Sequence, residues 1–520
     1  MKTSRSSKFI TLGICLLMLF AAVFCTGCQA NKAAAPETQE RTLVAAAANV
    51  PVNMDPYGSY GPDAYGHYQV YSALTYLEGA DRNIQMDIAE KYEASDDGLT
   101  YTFYLRKGVK YTNGEEFTAK DAQFSLLMAP QSEFTRQSAS DIVGCDIIDD
   151  YTIALHIATP NVSILERLSN IYMMNKKFYE DCAGKYGTSV ETVCGTGPYI
   201  LTAWTSGVEL SFKANDSYYR GAPNVKSAKL KAIADTNTAI IALQSGEIDL
   251  YIGDVPGIAW DSVKKSENVT MVEYASNKLY DILLNCSDGV FSDVRMRQAV
   301  AYAIDRDYMM QVGVEGRGVV ADYPGYPNYK GCPDATDVWP YTYSEANLEK
   351  ARAIVKECGK EGYPIAIKTY THDPYPKLAT AAQSMLNAIG LDATVDLMET
   401  NTYIEDVLYG GNYEFTVVRT YPEGSMDMYE MFNMLLEDQI PGWNWTRYVS
   451  PIQEETQPLA AAEKDYAKRQ ALYEICIDDF LQNVPIIPLY MPNGSRAFNS
   501  ALICEDGNVQ YERFFWYSWK

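Results

Sequence analysis

The chain has 520 residues, 47% of them hydrophobic and 21% charged, which is ordinary globular composition at a length too great for one simple core, so two or three lobes are expected. Acids outnumber bases 67 to 43, a net charge of -24; this argues against nucleic acid as a partner, because neutralising phosphates needs Lys and Arg concentrated on one face.

At the start, Lys2, Arg5 and Lys8 precede an apolar run from Phe9 to Phe24, too short and too closely followed by polar residues for a transmembrane helix. This reads as an export signal over residues 1–27. Its end, Cys25-Thr26-Gly27-Cys28, resembles a bacterial lipobox, with Cys25 where an apolar residue is usual, so Cys28 is the expected lipid attachment site. Loss of the three bases before Cys28 takes the net charge from -24 to -27, a self-repelling, soluble surface. Residues 28–42, mostly QANKAAAPETQER, are small and polar without periodicity and suit a flexible tether. Eight cysteines follow Cys28; their spacing leaves disulfides and buried thiols both open.

The fold is expected to begin near Leu43. Leu43 to Val52 reads as a strand entering a turn at Asp55-Pro56, and Thr100 to Leu105 (TYTFYL) alternates as a half-buried strand. Gly108, Gly114, Gly195 and Gly197 are placed where turns need unusual backbone angles. A helix is predicted from Thr118, with Thr118 and Asp121 at capping-box spacing. Asp293 to Asp307 reads as a single helix with Arg295 and Arg297 outward, Ser344 to Cys358 as another, and Ala379 to Ile389 as a fourth, followed by the strand Asp392 to Leu397. This alternation indicates an α/β chain with mixed, partly parallel sheets.

Several motifs keep one order along the chain: Asp97-Gly98-Leu99-Thr100-Tyr101-Thr102-Phe103, Asn113-Gly114, Gly195-Thr196-Gly197-Pro198-Tyr199, Leu243-Gln244-Ser245-Gly246-Glu247-Ile248-Asp249, Asp293-Val294-Arg295-Met296-Arg297-Gln298-Ala299 and Val484-Pro485-Ile486-Ile487-Pro488-Leu489-Tyr490. Together they resemble the family 5 extracellular solute-binding proteins, the oligopeptide-, dipeptide- and nickel-binding components of ATP-binding-cassette (ABC) importers. The resemblance implies a bilobal periplasmic-binding-protein-like (Venus flytrap) fold with an extra inserted subdomain: lobe I over 43–75, 190–283 and 486–520, lobe II over 76–189, lobe III over 284–485, and hinges near Asn285 and Pro485. It implies a monomeric lipoprotein on the extracytoplasmic face of the cell membrane. Such a protein hands a small peptide or other small solute to ABC permease subunits.

In peptide-binding members a Trp-containing segment with a following Asp lines the cleft, and the Asp holds the ligand's ammonium group. The matching stretch, Glu414 to Met428 (EFTVVRTYPEGSMDM), has no Trp. Arg419, Thr420 and Tyr421 stand in its place, and Glu423 or Asp427 is left for an ammonium. An Arg facing the cleft selects a carboxylate, because its planar fork binds in bidentate fashion; the alternative is a surface ion pair. Trp443 and Trp445, in a Gly- and Pro-flanked loop, and Tyr60, in an early tyrosine run, are further ligand-binding candidates, with core packing as their alternative.

No G-x-S-x-G, P-loop, H-E-x-x-H or G-x-G-x-x-G motif occurs, and the three histidines, His67, His156 and His372, are scattered, so neither catalysis, nor a cofactor, nor a protein-built metal site is expected. Besides peptide capture, the sequence leaves open a non-peptide solute (an oligosaccharide, an opine-like compound or a chelated metal), a secreted hydrolase using paired carboxylates, and a sensory receptor.

Overall fold

The structure, a computed structural model, describes residues 41–58, 64–79, 83–276, 278–325, 329, 331–332, 338–420, 427–505 and 513–520. The export signal, Cys28, Tyr60, Tyr421 and Glu423 lie outside the described residues. Residues 41–520 form one compact unit.

Its backbone is a twelve-stranded mixed sheet. In spatial order the main strands are Asp392–Met398, Pro364–Tyr370, Phe415–Thr420, Leu279–Leu284, Ile486–Asn499, Leu250–Ile252, Leu43–Ala47, Ser227–Ala232, Glu209–Ala214 and Tyr199–Thr205. Val269–Ala275 and Gly318–Val320 also pair with Ile486–Asn499. Leu43–Ala47 lies parallel to both neighbours, and Pro364–Tyr370 does the same, while the rest pair antiparallel. A separate antiparallel sheet holds Ala89–Ala94, Thr100–Leu105, Thr152–Ile157 and Ile142–Asp149 in that order.

The strand Ile486–Asn499 changes partners along its length. Its first part pairs with Leu279–Leu284 and Gly318–Val320 as far as Pro492, and from Asn493 it pairs with Val269–Ala275. The two crossings between halves of the sheet therefore fall between Ala275 and Leu279 and between Pro492 and Asn493. The family resemblance puts the hinges near Asn285 and Pro485; Asn285 directly follows the strand Leu279–Leu284, Pro485 directly precedes Ile486–Asn499, and Leu284 N–H donates to Pro485 O at 3.1 Å.

The predicted helix at Thr118 forms over Ala119–Met128, and the Asp121 carboxylate accepts from Thr118 N–H at 3.0 Å, closing the capping box. Ser344 caps Glu345–Glu357 as its hydroxyl chemistry requires. Asp293 to Asp307 departs from expectation. It is two helices, Val294–Ala303 and Arg306–Val314, because Asp305 caps the second by accepting from Tyr308 N–H at 2.9 Å. Arg297 does not face outward: it is buried, donating from Nε to Asn483 O at 2.6 Å and from Nη1 to Phe291 O at 2.7 Å. The helix placed at Ala379 starts four residues earlier, at Tyr375.

Gly108 and Gly114 do have positive φ, 74° and 90°. Gly195 and Gly197 do not; they are required because a Cβ at either would collide with the backbone of Val70, where Gly197 N–H donates to Val70 O at 2.8 Å. Cys145, Cys182, Cys194, Cys286, Cys332, Cys358, Cys476 and Cys504 form no disulfide with one another.

Candidate functional site

Phe415–Thr420 (FTVVRT) is almost wholly buried, as a strand covered on both faces must be. A charge in such a run is costly unless something solvates it. Arg419 is that charge, only half-buried and one residue from the strand's end. Antiparallel register sets Tyr280 directly opposite it, and Tyr490 opposite Tyr280 on the far side, so the three side chains share one face of the sheet.

The rings of Tyr280 and Tyr490 stack with centroids 5.0 Å apart, and Tyr375, at the start of its helix, lies 5.8 Å from Tyr280. His372 and Tyr370 complete the group, each about a ring's contact from Tyr375 at 5.1 and 4.8 Å. Burial raises the Tyr280 phenol pKa, while the Arg419 charge and a hydrogen bond from it pull the other way. Burial, then the Arg419 charge, lowers the pKa of His372. The imidazole thus stays neutral near pH 7, and Arg419 is the principal positive charge of the cluster. From the neighbouring half of the sheet, Asp254 makes an ion pair with Lys278 and adds its charge beside Tyr280. A planar guanidinium on a bed of phenol rings is suited to an anion, above all a carboxylate, which it grips with two parallel hydrogen bonds.

On the opposite face, Asp281 is fully buried and accepts from the Thr420 hydroxyl; burial holds its carboxyl well above the usual range. A bulge between Tyr280 and Asp281 marks the same point in the sheet.

The other sequence-selected residues fall elsewhere in the packing. Asp427 is buried and caps Met428–Phe432 by accepting from Tyr429 N–H at 3.0 Å, takes the Tyr473 hydroxyl at 2.7 Å, and lies 3.6 Å from Arg469. Burial pushes its carboxyl up to about 6. Trp445 belongs to the hydrophobic core of the chain's third segment, residues 284–485, with Trp443 half-buried against it, ring centroids 5.1 Å apart. Their loop is held from inside: Asn444 is buried and donates to Leu436 O and Tyr448 O. Tyr280, Tyr375, Tyr490 and His372 are not among the ligand-binding candidates read from the sequence; Arg419 is, because it stands where peptide-binding members carry a Trp, and that signal says nothing of its cross-strand partners. Among the described residues no three His, Cys, Asp or Glu side chains converge to hold a metal ion.

Comparison with known proteins agrees with the architecture. The model of the bacterial extracellular solute-binding proteins, family 5, middle region, matches residues 83–442. The chain is 24% identical over 535 residues to the oligopeptide-binding protein AppA of Bacillus subtilis, covering 95% of each. Among solved structures it resembles the periplasmic binding protein DppA of Helicobacter pylori in complex with the peptide STSA, with TM-score 0.80 and 23% identity over 92% of this chain and 98% of that one. It also resembles NikZ of Campylobacter jejuni in complex with Ni(L-His), with TM-score 0.77 and 21% identity over 92% and 99%. An α/β body built around a long strand shared by two halves of one sheet, and a family match spanning most of that body, lead to one conclusion: the chain belongs to the family 5 bacterial extracellular solute-binding proteins.

Proposed function

We propose that this protein is a lipid-anchored, extracytoplasmic binding protein that captures a short peptide and delivers it to an ABC importer. The near end-to-end likeness to an oligopeptide-binding protein carries the reading. The family describes solute binding rather than catalysis. In our reading the first lobe is built around Leu43–Ala47 and its neighbours, the second around the separate four-stranded sheet, and the third around Leu279–Leu284 with the strands beyond it. The hinges are the two crossings at 275–279 and 492–493, where, among the described residues, the chain passes between the halves of the shared sheet. In this reading Arg419 faces the ligand.

Mass spectrometry of the intact purified protein tests the ligand class. Added masses that fragment as peptides are expected, and a single non-peptide mass would overturn the peptide reading while leaving solute capture in place. Anchoring through Cys28 predicts that Cys28→Ala moves the protein out of the membrane fraction; a variant that stays there would make the apolar run an uncleaved anchor.

A second reading is favoured by one observation, the Arg419 charge on its tyrosine bed. The ligand then carries an anionic or carboxylate group at this end, whether it is a peptide or an opine-like or chelated solute. The fold admits both, since similar structures hold a peptide in one case and Ni(L-His) in another.

A further inference from the structure

Arg167 is a charged side chain only 3% exposed, at the end of the short helix Ile164–Arg167 in the chain's second segment, residues 76–189. Its guanidinium spans two carboxylates. Nη2 lies 2.7 Å and Nε 2.8 Å from Glu430 Oε1, in the third segment and itself 2% exposed, and Nη1 lies 3.1 Å from Asp141 Oδ2, in the second. Asn161 Nδ2 fixes Asp141 from behind at 2.6 Å, and the Tyr429 ring lies 5.6 Å from the guanidinium. Two further contacts follow the same seam: Val162 N–H donates to Ala461 O at 3.0 Å, and Lys464 Nζ to Asp96 O at 3.1 Å. The second segment is otherwise tied to the first, through Met54 N–H to Gly187 O and Thr112 N–H to Gly195 O. The seam therefore joins the second and third segments without using the crossing strands.

We infer that Arg167 and Glu430 form a latch that holds the second lobe against the third when the protein closes, setting ligand affinity without touching the ligand. The inference rests on the proposed capture between lobes. A buried ion pair is a poor source of net stability, because desolvating both charges offsets their attraction. It is a good reversible contact for the same reason: when the lobes part, water reclaims both charges and offsets the loss of their attraction. Its fork geometry also admits a single registration of the lobes. A ligand that requires this registration draws on the latch, and anything that weakens the latch lowers the population able to bind.

Hydrogen exchange on the full protein, as purified with its ligand and again after the ligand is stripped, tests this without knowing the ligand, the variants being compared in the as-purified form. The readouts are the Val162 amide, whose partner is across the seam, and the Phe103 amide, inside the four-stranded sheet. In Glu430→Gln, which keeps volume and loses charge, and in Arg167→Lys, which keeps charge and loses the fork, Val162 should exchange faster by about tenfold or more, with Phe103 unchanged. Unchanged Val162 exchange would overturn the latch. Equal acceleration at both amides would also overturn it, making the pair an ordinary core contact. Adding a pool of tri- to pentapeptides to the wild type separates this from the peptide reading: failure to slow Val162 counts against peptides as ligand, and the variant comparison still decides the latch.

Discussion

Arg419 shows how one residue can carry a specificity argument. It is half-buried opposite Tyr280, in surroundings where a bidentate contact to an anion is shielded from water and correspondingly strong. Truncating one partner of a buried, hydrogen-bonded charge pair costs about 2 to 5 kcal/mol, much of it the penalty of leaving the other charge unpaired. Arg419→Ala should therefore weaken binding of the co-purified ligand by well over about tenfold, and Arg419→Lys should not restore it, since a point charge lacks the fork. Isothermal titration of both variants reads this directly. An affinity within about threefold of wild type would return Arg419 to a structural role and remove the case for an anionic ligand end.

At the scale of elements, local chemistry was legible and long-range placement was not. Thr118 with Asp121, and Ser344 with its helix, could be read from the sequence because a cap acts within one turn. The break at Asp305 was hidden because the apolar stripe continues on both sides of it, and a side-chain cap outweighed helix continuity there. Arg297 looked like a surface residue, since nothing local reveals that the carbonyls of Asn483 and Phe291 await it. Tyr280, Tyr490 and Arg419 come together only through strand register, which sequence spacing does not encode. Gly195 was correctly marked as special for a reason that proved to be contact rather than backbone angle, and this yields a prediction. Gly195→Ala places a methyl against Val70 and the Tyr71 ring and should cost about 1–3 kcal/mol, as overpacking does. Gly442→Ala, exposed and with nothing nearer than 3.8 Å, should change stability by less than about 0.5 kcal/mol. The midpoints of urea unfolding compare them; equal midpoints would remove the close-approach explanation.

For the whole molecule, the ordered motifs were enough to identify the family and the α/β class, because they are spread along the chain and turn residues dominate them. The crossings depend on which partner each half of Ile486–Asn499 pairs with, a long-range choice that spacing along the chain does not encode. Those crossings matter mechanically. Two backbone connections between halves of one sheet permit rotation while keeping the halves in register, and a ligand touching both sides stabilises the closed arrangement by its differential affinity alone. Capture by closure is the central claim, and small-angle scattering on the ligand-stripped protein, before and after saturation with the ligand recovered from it, tests it most directly: a smaller radius of gyration on binding is predicted, and an unchanged radius with the site verified as full would contradict it.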